Sequence, residues 1–150
     1  MKKIKRFGEL FEDETPESKE KKGFSSNIEE DTKSNEDYRK VIYTGEHSQL
    51  VLMSLKPGEE IGEEVHKTID QFFRIESGNG KCIINGNEYS ITDGSAIIVP
   101  AGSKHNIINI DEKNDLKLYS IYSPPKHKDG LVQPTKDTKI EDDKFEGTTE

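Results

Sequence analysis

Two of the chain's four histidines, His66 and His105, sit in short stretches whose spacing can bring them together with Glu64 and Gln71. In an extended strand residues two apart share a face, so Glu64 and His66 point the same way with Val65 opposite. After a short turn around Thr68 to Asp70, Gln71 opens the next strand, Gln-Phe-Phe-Arg-Ile. The second stretch runs Gly94 to His105, with Asn109 beyond it. Pro100 fixes φ and stops an apolar strand, and Gly102 allows the positive φ of a tight reversal, so His105 starts the returning strand. One carboxylate, two imidazoles and one amide then form a mixed N/O donor set. Glu64, His66 and His105 alone make a two-histidine, one-carboxylate face that suits non-haem Fe(II), and the set also suits Mn, Ni, Co or Zn.

Strands must carry these side chains. Alternation, turn residues and apolar content predict strands over 39–44, 49–55, 63–67, 71–76, 80–84, 88–91, 95–99, 105–110 and 116–122. Asn85-Gly86 between two of them is a strong hairpin signal. No convincing helix is seen, and short strands with regular turns predict an all-β barrel or sandwich. If Gln71 points inward, so do Phe73 and Ile75, while Phe72 and Arg74 point out. Ile107 and Asn109 share the face of His105. Phe73, Ile75, Ile107 and Asn109 are therefore expected to line the pocket. Ala96 to Val99 is apolar on both faces, which predicts a central strand. Cys82 shares a face with Ile84 and is read as packing. His47 and His127 have no partners by spacing and are read as surface residues.

The two stretches resemble the motifs of the cupin superfamily. The second cupin motif, G-x5-P-x-G-x2-H-x3-N, is matched by Gly94, Pro100, Gly102, His105 and Asn109. The first, G-x5-H-x-H-x3,4-E-x6-G, is matched in spacing by Gly58, Glu64, His66, Gln71 and Gly78. Glu64 stands where the family usually has its first histidine, and Gln71 where it usually has glutamate. The carboxylate has changed position, but the set still offers an ion one negative charge. The resemblance covers roughly residues 40 to 125. It implies a jelly-roll (double-stranded β-helix) barrel and one divalent metal on Glu64, His66, Gln71 and His105, Gln71 binding directly or through water. Some members of the family have lost their metal, which leaves a metal-free pocket as the alternative. Dimers are common among cupins, and an outward Phe72 needs cover, so a homodimer is expected.

Composition frames the domain. Only 29% of the residues are hydrophobic while 35% are charged, which is polar for a fully packed chain of 150 residues. The apolar residues concentrate in 37–125, the expected barrel. Residues 1–36 and 126–150 read as polar tails, disordered or loosely attached. Ile4, Phe7, Leu10 and Phe11 fall near helical spacing, but a mobile tail is the preferred reading. Net charge is −8, and acidic side chains outnumber basic ones in 41–125, with no basic stripe to neutralise phosphates. Nucleic acid is therefore not an expected partner. No stretch is long and apolar enough for a membrane span, no signal peptide is seen, and Cys82 is the only cysteine. These features predict a cytoplasmic protein.

Two functional readings follow. As an enzyme, the metal would act as a Lewis acid on a small oxygenated metabolite, in an isomerase-like or oxygenase-like reaction. A phosphorylated sugar is disfavoured because Arg74 is the only arginine of 41–125 and is expected to point outward. A 2-oxoglutarate oxygenase is disfavoured by the order Glu-x-His and by the lack of a later arginine. No tyrosine acid is placed by motif for epimerase chemistry. The alternative is a non-catalytic small-molecule-binding or sensor module built on the same pocket.

Overall fold

The computed structural model describes residues 20–150. The helically spaced Ile4, Phe7, Leu10 and Phe11 lie outside the described residues. A short helix, α1 (Ile28–Ser34), precedes ten strands. In chain order these are β1 (Arg39–Thr44), β2 (Gln49–Leu55), β3 (Glu64–Val65), β4 (Asp70–Ser77) and β5 (Asn79–Ile84). They continue as β6 (Asn87–Thr92), β7 (Ala96–Val99), β8 (Lys104–Asn109), β9 (Leu116–Ser123) and β10 (Val132–Gln133).

The strands form two antiparallel sheets, one ordered β10-β1-β2-β9-β4-β7 and the other β3-β8-β5-β6. Side chains from both sheets meet in one apolar core that includes Val51, Met53, Phe73 and Ile75 from the first and Cys82, Ile91 and Ile107 from the second. The architecture is the expected jelly roll. Alternation sets its inner face: Gln71, Phe73 and Ile75 are buried on β4, whereas Phe72 and Arg74 between them are only half-buried. Phe72 lies 6.2 Å from the Tyr119 ring on that outer face.

Local chemistry fixes the turns. Asn85 and Gly86 both take positive φ (48° and 84°), as a two-residue hairpin of matching twist requires, and Ile84 pairs with Asn87 across it. At the Pro100 corner, Ser103 N–H returns to the Pro100 carbonyl at 3.1 Å and Gly102 has φ 85°. Glycine meets that conformation without the Cβ penalty.

Strand β7 corrects one expectation. It is the edge of the six-stranded sheet, paired on one side only, with Ile97 and Val99 buried and Ile98 67% exposed. A continuous apolar run does not by itself require two covered faces. The polar flanking segments also carry ordered structure. Asn27 caps α1 by accepting the Glu30 N–H at 3.1 Å, and the helix packs on β9, β4 and β2. Residues 126–150 supply β10, which pairs with β1, and bring Thr149 N–H to the Thr44 carbonyl at 2.9 Å. Among the described residues no helix is long and apolar enough to cross a membrane.

Candidate functional site

The two motif stretches are joined by main-chain hydrogen bonds before any side chain meets. Strand β3 pairs with β8 so that Glu64 stands opposite His105. The Gly102 N–H donates to the His66 carbonyl at 2.8 Å, and the Ala101 N–H donates to Asp70 Oδ1 at 2.8 Å. The Pro100 corner is thereby pinned to the loop between His66 and Gln71. Both donors are backbone N–H groups of the reversal; one acceptor is a main-chain carbonyl and the other the Asp70 side chain.

His66 and His105 are both buried, their ring centroids 5.3 Å apart. His105 Nδ1 lies 3.0 Å from the Ser103 carbonyl. A carbonyl can only accept, so that nitrogen carries the proton and Nε2 is the bare donor atom. His66 Nε2 is buried without a hydrogen-bond partner and stands 3.6 Å from Glu64 Oε2. Burial pushes the His66 pKa down to about 4, opposed by the Glu64 carboxylate. The ring is therefore neutral at neutral pH, as a metal ligand must be.

Gln71 is buried on β4, opposite Val99 on one side and Tyr122 on the other. Its Nε2 donates to Ser120 Oγ at 2.9 Å, while its Oε1 is buried with no partner. Two orphaned polar atoms, His66 Nε2 and Gln71 Oε1, thus flank Tyr122, whose ring meets His66 edge-on at 5.9 Å. Unpartnered buried polar atoms are costly, and each calls for something that would satisfy it.

Tyr122, His127 and Asp143 form a polar chain that spacing did not disclose. His127 Nε2 is 3.1 Å from Tyr122 Oη, and His127 Nδ1 is 2.7 Å from Asp143 Oδ1. His127 is only 2% exposed, which corrects its reading as a surface residue. Gln49 grips its main chain, accepting the His127 N–H at 2.9 Å and donating to the His127 carbonyl at 2.8 Å. Burial pushes the Tyr122 pKa upward, and burial lowers that of His127 against the opposing pull of Asp143. The parity of β9 could have flagged Tyr122, which shares a face with Leu118 and Ser120. Nothing in spacing links Asp143 to it.

The other expected pocket residues divide. Phe73 lies beside His105, ring centroids 6.4 Å apart, and is buried with Ile75 and Ile107 in the apolar core. Asn109 is engaged elsewhere: its Nδ2 donates to the carbonyls of Leu55 and Asn114 at 3.0 and 2.9 Å. It ties β8 to neighbouring loops. Arg74 keeps a 42% exposed side chain beside Glu76, and His47 is exposed. Arg39, just before the 41–125 segment, places a positive charge felt by Tyr122 and Asp143, and its Nε is buried without a partner.

Among the described residues, no group of three or more His, Cys, Asp or Glu side chains is arranged to hold a metal ion by themselves. Glu64, at 31% side-chain exposure, faces partly outward, and the amide oxygen of Gln71 is the further inward donor. In chemistry the residues fit a divalent ion: two neutral imidazoles, an amide oxygen and a carboxylate. The 3.6 Å between His66 Nε2 and Glu64 Oε2 is also compatible, since two ligands about 2.1 Å from one tetrahedral ion stand about 3.4 Å apart.

Comparison with known proteins agrees with this frame. The family model described as "Cupin domain" matches residues 51–122. The uncharacterized protein YrkC of Bacillus subtilis (strain 168) is 46% identical over 121 residues, covering 77% of this chain and 64% of that protein. This chain therefore spans less than two thirds of that relative's length. An uncharacterized protein of Acanthamoeba polyphaga mimivirus is 46% identical over 109 residues, covering 71% of this chain and 68% of the relative. A crystal structure from Bacillus halodurans superposes with a TM-score of 0.74 at 42% identity, covering 76% of this chain and 90% of that one. Both motifs, the two-sheet barrel and these matches agree: the chain belongs to the cupin superfamily.

Proposed function

We propose that this cupin binds one divalent transition metal on Glu64, His66, Gln71 and His105 and acts there on a small oxygenated metabolite, in an isomerase-like or oxygenase-like reaction. The observation that carries the reading is the pair of buried, unpartnered polar atoms, His66 Nε2 and Gln71 Oε1, in the same site as His105, whose Nδ1 is engaged by the Ser103 carbonyl. When bound, the metal would supply Lewis-acid polarisation of substrate oxygens. The chain's own residues do the rest. Ser103 and Ser120 orient the His105 and Gln71 donors, while Phe73 keeps water from one side of His105.

Elemental analysis of purified, metal-replete protein tests this reading. One equivalent of Mn, Fe, Co, Ni or Zn per chain is expected, lost in the His66→Ala/His105→Ala double variant. Wild-type protein that retains no ion would overturn it. The second reading, a non-catalytic binding or sensor module, is favoured by the lack of a ready three-residue cluster among the described residues. Binding of small metabolites without turnover by metal-replete protein would select it. A homodimer is part of the proposal as well. An apolar groove of about 350 Å³, lined in part by Tyr89, Ile97 and Ile98 at the β6 and β7 edges, gives it a seat. Sedimentation velocity of wild type and Ile98→Glu would decide it, a wild-type monomer counting against.

A further inference from the structure

We propose that residues 126–145 form a lid over the donor set, latched by His127, and that the polar row beneath it is the route by which a small oxygenated ligand reaches Gln71. The proposal deepens the reading of the site and takes its functional meaning from it. It starts from a row of cross-strand partners. Thr44 pairs with Gln49, Gln49 with Tyr122, and Tyr122 with Gln71. All four side chains are buried, and each carries a polar group. The neighbouring row, Val41, Val51, Ser120 and Phe73, is apolar except for the serine.

His127 covers the polar row. Gln49 holds its backbone from both sides, accepting the N–H at 2.9 Å and donating to the carbonyl at 2.8 Å. Its ring meets Tyr122 edge-on at 5.0 Å, and Asp143 Oδ1 closes on Nδ1 at 2.7 Å. Tyr122 meets His66 edge-on in turn, at 5.9 Å, so the latch stands one ring away from the donor set. Gln133 is the second peg: its Oε1 accepts from Arg39 Nη1 at 3.0 Å within the short β10–β1 pairing. Residues 126–150 bury these two side chains and keep the others half-buried or exposed. Lifting such a segment uncovers little apolar surface, and each polar partner it loses is replaced by water. Segments of this kind open at a free energy well below that of global unfolding.

The closed state also needs an opening. His66, Gln71 and His105 are 8%, 3% and 4% exposed, so a ligand larger than an ion reaches them after something has moved. The loop between His66 and Gln71 is not the part that yields, because the Gly102 and Ala101 N–H groups tie it to the Pro100 corner. The C-terminal segment is the looser wall. A groove of about 370 Å³ lies between the two, with Ile69 on one side and Asp143 and Phe145 on the other. Parting His127 from Asp143 and Gln49 extends that groove onto the polar row, which leads to Gln71. A floor of hydroxyl and amide groups passes molecules rich in hydroxyls and carbonyls and offers hydrocarbon no such partners.

Native-state hydrogen exchange on metal-free, full-length protein tests the lid with no ligand present. The amides of His127, Tyr38 and Val41 donate to Gln49 Oε1 and to the carbonyls of Pro134 and Leu131. They are expected to exchange together and faster than those of Phe73 and Leu118 in the β4–β9 ladder. Asp143→Ala removes a charge-assisted hydrogen bond from the latch and should speed this group by about tenfold. Cys82, wholly buried and the chain's only cysteine, should resist thiol labelling under the same conditions, which shows the barrel still closed. On Co²⁺-loaded protein, EDTA should strip the ion about tenfold faster from Asp143→Ala than from wild type, by the same loss. Lid amides that exchange in wild type as slowly as the barrel's, or a stripping rate unchanged in Asp143→Ala, would overturn the proposal. A wild type that takes up no Co²⁺ yet shows the fast, concerted exchange removes the metal reading and supports the lid.

Discussion

Glu64 and His105 come from different motifs, yet they are direct cross-strand partners in the β3–β8 pair. Residues opposite one another in an antiparallel ladder present side chains on the same face. The pairing therefore converts two separate sequence patterns into one donor surface, and the Gly102-to-His66 hydrogen bond locks the next residue into it.

Gln71→Glu should tighten metal binding and weaken the metal-free fold. The new carboxylate would have no proton to give Ser120, and a second negative group would lie near Glu64. A loss of roughly 1–3 kcal/mol is expected without metal, from the burial of poorly partnered polar atoms. Thermal unfolding with and without Mn²⁺ checks it: the variant should melt lower than wild type when metal-free and gain more from Mn²⁺.

Acid should destabilise the fold through His66. Its folded pKa is depressed from 6.5 to about 4, so below 6.5 the unfolded chain binds a proton that the folded chain refuses. Stability present above pH 6.5 is then lost as pH falls toward 4, by roughly 3 kcal/mol in total. Burial depresses His127 in the same direction, which adds to the loss in that window. Urea unfolding of metal-free protein across this range should show the fall, and His66→Gln should flatten it.

Asn109→Ala should cost stability without touching the donor set. It removes the hydrogen bonds to the Leu55 and Asn114 carbonyls. Leaving the Leu55 carbonyl, on a buried residue, short of a donor costs about 1–3 kcal/mol, whereas the Asn114 carbonyl belongs to an exposed residue and can turn to water. Metal affinity measured beside denaturant unfolding should separate the two effects; a large affinity loss would return Asn109 to the pocket.

Gly80→Ala should destabilise by about 1–3 kcal/mol as overpacking. An added Cβ would lie 2.8 Å from the Ile108 carbonyl oxygen and 3.0 Å from a Leu116 methyl, with backbone on one side that cannot rotate away. Chemical unfolding checks the size. A neutral result would mean that β5 and β8 can separate, and with them the strand that carries His105.

Much of this was legible because it is local. Period two in Gln71 to Ile75 placed an inward face, Asn85-Gly86 announced its hairpin, and the Pro100-Gly102 corner announced the strand of His105. The position of a strand within a sheet is not local, which is why β7 read as central although it lies at an edge. Its Ile98 looks like any core isoleucine until the pairing partner on that side is found missing. Tyr122, His127 and Asp143 were hidden for a related reason. Their alignment depends on Gln49 holding a segment that follows the last long strand, and polar composition carries no trace of such a contact. Helix α1 escaped notice because its seven residues are mostly polar and depend on the Asn27 cap and the sheet beneath.

Anomalous diffraction at the cobalt edge, from crystals of wild-type protein soaked in Co²⁺, tests the shared centre most directly. One strong peak bonded to His66 Nε2, His105 Nε2 and Gln71 Oε1, with Glu64 drawn inward, is the predicted result. Density only at surface carboxylates, with His66 and Gln71 still lacking a partner, would contradict it.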